Sequence, residues 1–500
     1  AAMTLLPLLE ILSRKVVGRG VPGSAPMVQH LTLLVAFLGA ALAARSDRLL
    51  SLSTASFLPN RWRGPVRIFT GALTVAVTAG LFWASLDLVR AERQDGAILA
   101  LRVPVWAFVC VMPLGFAVVA ARVAWNASPA WRGRALAALG LVLPLALGLA
   151  SPLPAEALLL PGVLLILAGT LLGLPIFAGL GGLALLFFWS EGTPIASVTV
   201  EAYRLAASPL LPAIPLFTLG GYLLAEAGAS ERLVGVFRAL VGWMPGGAAI
   251  LTTLVFAFFT SFTGASGVTI LSLGGLLLPV LIKSRFPENF SLGLVTASGA
   301  IGLLFPPSLP VILYGVYSQT PIDRLFIGGF LPGMLLLVLL SAFGAWKGLQ
   351  VGAERTPFRP REAVAALWAA KWELLLPVVV LVGIFGGFAT LVEAAALTVF
   401  YAFFVECFVY KDLGVRRDVP RVVVECVTLV GGVLLILGMA MGLANYLIDA
   451  QVPTRALAWV RAHVESPFLF LLLLNGFLLI VGCLLDIYSA ILVVVPLIAP

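Results

Sequence analysis

Charge is what this chain has least of. Of its 500 residues only 11% are Asp, Glu, Lys or Arg, while 61% are hydrophobic. A soluble domain carries about a quarter charged residues, so the shortage excludes a conventional water-soluble fold. Histidine is scarcer still: His30 and His463 are too few and too far apart to suggest a metal site. Cys110, Cys407, Cys426 and Cys483 lie scattered in apolar runs without a CxxC pair, which predicts buried free thiols. No HExxH, Walker A loop or GxSxG elbow occurs. "GASGV" only imitates the last, because Val268 stands where the closing glycine belongs. The chain therefore reads as neither an ATPase nor a hydrolase, and no enzymatic cofactor is expected.

What is present is apolar length. Stretches near the ~20 residues that cross a bilayer recur throughout. Helices satisfy every backbone polar group inside lipid, so the pattern predicts an all-α polytopic membrane protein with about 14–16 membrane segments. The net charge of +8 does not imply nucleic acid, because no basic helix is interleaved with base-stacking aromatics. Basic residues cluster instead in short connections, at Arg45 and Arg48, in "NRWRGPVR", at Lys283 and Arg285, and between 347 and 371 and between 411 and 421. That is the positive-inside bias, and membrane lipid is the partner it implies. Arg14, Lys15 and Arg19 fit less well, since alternation puts them outside. Both ends read as cut: "AAMTLLPLLEIL" opens without an initiator Met, and "ILVVVPLIAP" stops inside an apolar run.

The stretch "ASPAWRGRALA" divides the chain into a first region, residues 1–126 with about four spans, a connector over 127–156 holding one membrane helix, and a longer region over 157–500. In the last, Gly and Pro interrupt the spans. "GAIGLLFPPSLPVILYG" places Pro306, Pro307 and Pro310 inside an apolar run, and tandem prolines forbid a straight helix. Carbonyls freed at membrane depth must find partners, line a cavity or coordinate a cation. About forty residues earlier, "TSFTGASGVT" gathers hydroxyls and glycines. It reads as the tip of a re-entrant hairpin, with Thr263 and Ser266 as hydroxyl ligands and Gly264 and Gly267 allowing the reversal. The alternative is that small residues there simply let helices pack closely.

These blocks, in this order, resemble the fused membrane permease of the tripartite ATP-independent periplasmic (TRAP) transporters. "LPAIPLFTLGGYLLAEAG", "FTGASGVT", "SGAIGLLFPPSLPVILYG", "DRLFIGGFLPGML", "GGFATLVEAAALTVFYA" and "NGFLLIVGCLLDIYSAILVVVPLIAP" are each similar to a block of the large subunit. The first region resembles the four-helix small subunit through its pattern and "FLGAALAARSD". The resemblance implies an elevator-type transporter with inverted repeats, re-entrant hairpins and broken helices. It implies sodium as the coupling ion, a small organic acid such as a C4-dicarboxylate or sialic acid as cargo, and a periplasmic substrate-binding protein as partner. The expected location is a bacterial inner membrane. Carried over by position, one sodium site would use Thr263, Ser266 and the carbonyls of Gly302, Phe305 and Pro307. Gly482 would contribute to a second site, whose remaining part is expected beyond Pro500. Gly264, Ser308 and Asp486 become substrate-cavity candidates. The chain departs from the family pattern at Thr263 and Ala265, and at Leu391 and Val392, where Pro and Thr are usual.

Among acids in apolar surroundings, Glu393 reads as a helix cap or a site contact, Asp486 as either, and Glu226 as interfacial. Arg232 and Arg238 fit an amphipathic interfacial helix. The rival functional readings are a proton-coupled carrier or a non-transporting, respiratory-type membrane subunit. The latter predicts relays of ionisable residues across several spans, which the two histidines do not supply.

Overall fold

The computed structural model describes residues 1–52, 59–99, 102–149, 155–264, 266–464, 466–484 and 487–498. Among them there is no strand, only two isolated bridges, and the elements are helices throughout. Lipid cannot hydrogen-bond the backbone, so an apolar chain of this kind must satisfy its amides within each segment.

Among the described residues six helices are long and apolar enough to cross a membrane: Ser24–Arg45, Asn60–Asp95, Val105–Asn126, Ile322–Val351, Leu391–Val409 and Asp418–Asp449. Two bent pairs bring the number to eight, and six apolar helices of 10–17 residues accompany them. The expected 14–16 segments thus divide into full spans and half-length pieces. Periodicity cannot separate these, because both are equally apolar. The basic stretch "NRWRGPVR" is not a loop; it forms the first turns of Asn60–Asp95, with Pro65 tolerated near the helix start. The four cysteines are free, but only Cys407 and Cys426 are buried. Cys110 is half-buried and Cys483 is exposed on Pro467–Leu484, so the expectation of uniformly buried thiols fails there.

The chain folds into two compact units that do not follow its order. One comprises Ala1–Val21 with Pro212–Cys426, the other Pro22–Leu211 with Val427–Pro500.

In the second unit, close helix packing rests on small residues. A Cβ on Gly431 would press on the backbone of Gly39 and Ala40, and one on Gly39 would press on the Val427 carbonyl oxygen. This backbone-to-backbone approach is the form of association that dispersion rewards where lipid removes any hydrophobic drive. His30 is buried and structural. Its Nδ1 lies 2.8 Å from the Pro26 carbonyl, which can only accept, so Nδ1 donates there. Nε2 then accepts from the Tyr203 hydroxyl at 3.1 Å. Thr199 Oγ1 donates to the Ala84 carbonyl at 3.1 Å, another buried tie between distant segments.

In the first unit, one guanidinium gathers three elements. Arg232, on the amphipathic helix Ala229–Val241, donates through Nη2 to Glu406 at 2.8 Å and through Nη1 to Asp412 at 2.5 Å. Its Nε bonds Glu373, and its guanidinium carbon stacks 3.7 Å from the Tyr410 ring centre. Glu373 and Glu406 are fully buried. Burial pulls the Arg232 pKa down, but the hydrogen bonds it donates to Asp412 and Glu373 push it up, and the net effect is a rise. The charge is therefore permanent. The sequence places Arg232 on an amphipathic helix, as found, and its side chain turns inward to a carboxylate cluster. Arg232→Gln leaves buried carboxylates uncompensated and is expected to destabilise the protein by about 3–5 kcal/mol. Thermal unfolding of the detergent-solubilised chain checks this; an unchanged midpoint would show that the cluster contributes nothing.

Candidate functional site: a hairpin against a broken helix

The helix Gly247–Thr263 ends at Gly264, which takes φ 67° and ψ −3°. Its N–H closes the helix onto the Thr260 carbonyl at 2.9 Å. L-residues rarely adopt that conformation, and a Cβ would also meet Leu309 at 2.5 Å, so glycine is required twice over. Ser266 opens the returning helix, Ser266–Lys283. Gly267 lies inside that helix with nothing within 4 Å of an added Cβ; among the described residues of the turn, Gly264 is the one in the left-handed conformation. Ala265 lies outside the described residues.

The opposing element is a helix that breaks. Glu288–Ile301 tightens into a 3₁₀ turn at Gly302–Leu304, and Leu309–Tyr317 resumes at 49° to it. Tandem prolines at 306 and 307 cannot donate, and the Pro306–Pro307 peptide is cis. Phe305 is extended, with φ −97° and ψ 143°. Its N–H donates to the Gly302 carbonyl at 3.1 Å, and its carbonyl accepts from the Ser308 N–H at 3.0 Å. Ser308 occupies the N-cap of the second half-helix without making a side-chain cap bond.

The hairpin meets the break on both sides. A Cβ on Gly302 would clash with the Ala257 carbonyl oxygen and meet Ser261 N and Thr260 Cβ, each at 2.7 Å. Gly264 touches Leu309, and the Ser266 carbonyl lies 3.6 Å from the Cβ position of Gly299. Thr260, Gly264, Ser266, Gly302 and Leu309 therefore line one junction, with Ser308 and Pro307 buried beside Leu309, while the Thr263 backbone lies against Gly221. Phe305 directs its ring toward Phe330 instead, 5.9 Å between centroids.

Polar groups at this junction are unevenly satisfied. Thr263 Oγ1 pairs with Thr269 Oγ1 at 2.6 Å. Thr260 Oγ1 and Ser308 Oγ are fully buried without a hydrogen-bond partner among the described residues. Each such hydroxyl costs about 1–3 kcal/mol if left unmatched. Motif reading selects Thr263 and Ser266 but passes over Thr260. Its signal was legible: Thr260 precedes Thr263 by three residues and shares its helix face. No carboxylate or histidine belongs to this set. Neutral hydroxyl and carbonyl oxygens are the ligand type for a hard cation.

Gly482 lies in the other unit, exposed on Pro467–Leu484, where an added Cβ would meet nothing within 4 Å. Asp486 lies outside the described residues.

Glu393 caps a helix, at a different position from the N-cap expected. Thr390 is the N-cap of Leu391–Phe404 and accepts from the Glu393 N–H at 3.3 Å, while Glu393 Oε2 accepts from the Thr390 N–H at 2.8 Å. This reciprocal capping box satisfies two orphan donors. The same carboxylate receives Arg14 Nη2 at 2.8 and 2.9 Å. Arg14, the residue that alternation leaves misplaced, thus ties Ala2–Val16 to Leu391–Phe404. Glu226 ends its helix and pairs with Arg421 at 2.8 Å.

Fold and site together define a polytopic helical membrane protein with a polar hairpin docked on a broken helix. Comparison with known proteins then places it. The model for the tripartite ATP-independent periplasmic transporter, DctM component, matches residues 163–500, and that for the DctQ component matches residues 3–133. The chain belongs to this family and is a TRAP transporter permease. It is 32% identical over 454 residues to the isethionate TRAP transporter permease protein DctMQ of Oleidesulfovibrio alaskensis, covering 89% of this chain and 71% of that one. It is 32% identical over 324 residues to the C4-dicarboxylate TRAP transporter large permease protein DctM of Pseudomonas aeruginosa, covering 64% and 74%. The ectoine/5-hydroxyectoine large permease protein UehC of Ruegeria pomeroyi is 30% identical over 355 residues, covering 69% and 81%.

Two outcomes test the geometry. Gly302→Ala forces a methyl against backbone and is expected to cost about 1–3 kcal/mol, whereas Gly267→Ala should be neutral or stabilising. Equal thermal midpoints for the two variants would refute the packing described. Thr390→Ala should cost about 1 kcal/mol through its cap. Arg14→Gln should cost a similar amount, and limited proteolysis should then release the first 21 residues faster; unaltered cleavage would show that Arg14 does not hold them.

Proposed function

We propose that this permease is a sodium-coupled secondary transporter that imports a small organic acid delivered by a soluble periplasmic binding protein. It works in a bacterial inner membrane by an elevator movement of the hairpin-bearing part against a scaffold. The observation that carries the reading is the pair of buried, unmatched hydroxyls, Thr260 Oγ1 and Ser308 Oγ, at the hairpin–break junction. A bound cation would supply what the Thr260 oxygen lacks, and bound cargo what Ser308 lacks. The proposed ligands are Thr263 and Ser266, the carbonyls of Gly302, Phe305 and Pro307, and Thr260 in addition. The Gly302 and Phe305 carbonyls each accept one hydrogen bond and keep a second lone pair. Gly264 and Ser308 border the substrate path, and Gly482 with Asp486 would serve a second ion and the cargo.

The cargo class rests on the names of relatives, which include isethionate and C4-dicarboxylate carriers. Both ligands are small anions. The junction itself carries no formal charge, so anion binding would depend on the co-bound cation and on backbone N–H groups at the half-helix start.

Thermal unfolding in sodium against potassium at equal ionic strength tests the coupling ion. An ion bound only to the folded state at about 100 times its dissociation constant stabilises by about 2.7 kcal/mol. Sodium should raise the midpoint of the wild type and do so less in Thr260→Val and Ser266→Ala. The same midpoint in both salts would sink the sodium assignment.

A further inference from the structure

The helix Pro360–Ala369 lies at 63° to the apolar helix Lys371–Phe385, across a one-residue break at Ala370. It follows the polar stretch "ERTPFR" and is bent away from the axis of the apolar helix instead of extending it. Ala363 is buried on its inner side, where the helix packs against Ala229–Val241. The outer face is apolar and exposed: Val364 is 65% exposed and Trp368 71%, with Phe358 and Leu367 beside them. Arg361, Val364, Ala365 and Trp368 recur at i, i+3, i+4 and i+7 and line an open depression of ≈ 500 Å³ together with Pro360.

Charge at this face is one-sided. Between 347 and 371 there are five basic residues and two acidic ones. Both acids are engaged: Glu362 holds Arg359 at 2.7 Å, and Glu354 holds Arg285 at 3.8 Å. Arg355, Arg361 and Lys371 have no carboxylate partner among the described residues. Lys371 Nζ sits 3.7 Å from the Trp368 ring centre and 5.4 Å from that of Trp372, so its cation is held at the edge of the apolar face. An amphipathic helix with an exposed tryptophan and unpaired cations at both ends suits the boundary between headgroups and acyl chains.

We propose that this helix holds an anionic phospholipid of the bilayer, its phosphate between Arg361 and Lys371 and its upper acyl chain along Val364, Leu367 and Trp368. A zwitterionic lipid offers the same chain but no net charge for two free cations. The site is separate from the hairpin junction and does not depend on the coupling ion.

Native mass spectrometry of the purified full chain would compare retention of phosphatidylglycerol with that of phosphatidylcholine. Each basic residue near an anionic surface is worth about a fivefold preference, so Arg361→Gln with Lys371→Gln should lower the phosphatidylglycerol preference about 25-fold. The charge-preserving pair Arg361→Lys and Lys371→Arg should retain it, which also guards against misfolding. Arg416→Gln with Arg417→Gln, two exposed cations elsewhere, should leave it unchanged. An unaltered preference in the first pair would overturn the proposal, as would an equal loss in the control pair, which would mean that overall charge alone selects the lipid.

Discussion

A bilayer offers no hydrogen bonds, and the architecture follows from that single fact. Each backbone amide must be satisfied by its own helix, or, where a helix stops, by protein groups brought from elsewhere. This is why the elements described are helices and why their interruptions matter. Between Gly302 and Ser308 the chain stops donating in the helical pattern, and a hairpin ending at Gly264 is packed against the gap. Gly302 lets one backbone reach another and Gly264 admits the Leu309 side chain, and Thr260 and Ser308 are buried there without a partner among the described residues.

The same rule governs charge. Buried carboxylates at Glu373, Glu406 and Glu393 are tolerated because each finds an arginine. Arg232 serves two of them and Asp412 besides, so three segments that are apolar and otherwise interchangeable acquire a fixed mutual register. Pairing of this kind adds little net stability over a well-packed apolar core, but losing one partner is severe. Its contribution is arrangement. Around Pro360–Ala369 the basic residues are used differently: Arg361 and Lys371 lie near Trp368 with no carboxylate partner among the described residues.

Much of the architecture was legible from apolar runs and from the order of Gly- and Pro-bearing blocks. The helix break at Pro306 and Pro307 is written in residue chemistry, because proline lacks the donor that a helix needs. The αL turn at Gly264 follows from the glycine there, though Gly267 looked equally suited and is an ordinary helical residue. Number of spans was less legible, since a 15-residue apolar helix such as Ile176–Ser190 and a full span carry the same composition. Partners distant in sequence were not legible at all. Arg14 read as an exception to charge asymmetry, and Arg232 as part of an amphipathic interfacial helix. Nothing local to either position names a glutamate. Thr260 is an intermediate case, visible in helical phase but overshadowed by the more distinctive triplet after it.

The Arg14–Glu393 pair has a temporal side. The two residues are 379 positions apart. At about 5–20 residues per second, the ribosome delivers the carboxylate on the order of 20–75 s after the arginine. Throughout that interval Arg14 lacks the carboxylate that it pairs with in the folded chain. The same carboxylate closes the capping box of Leu391–Phe404, so docking of Ala2–Val16 is read out at the start of a helix made much later.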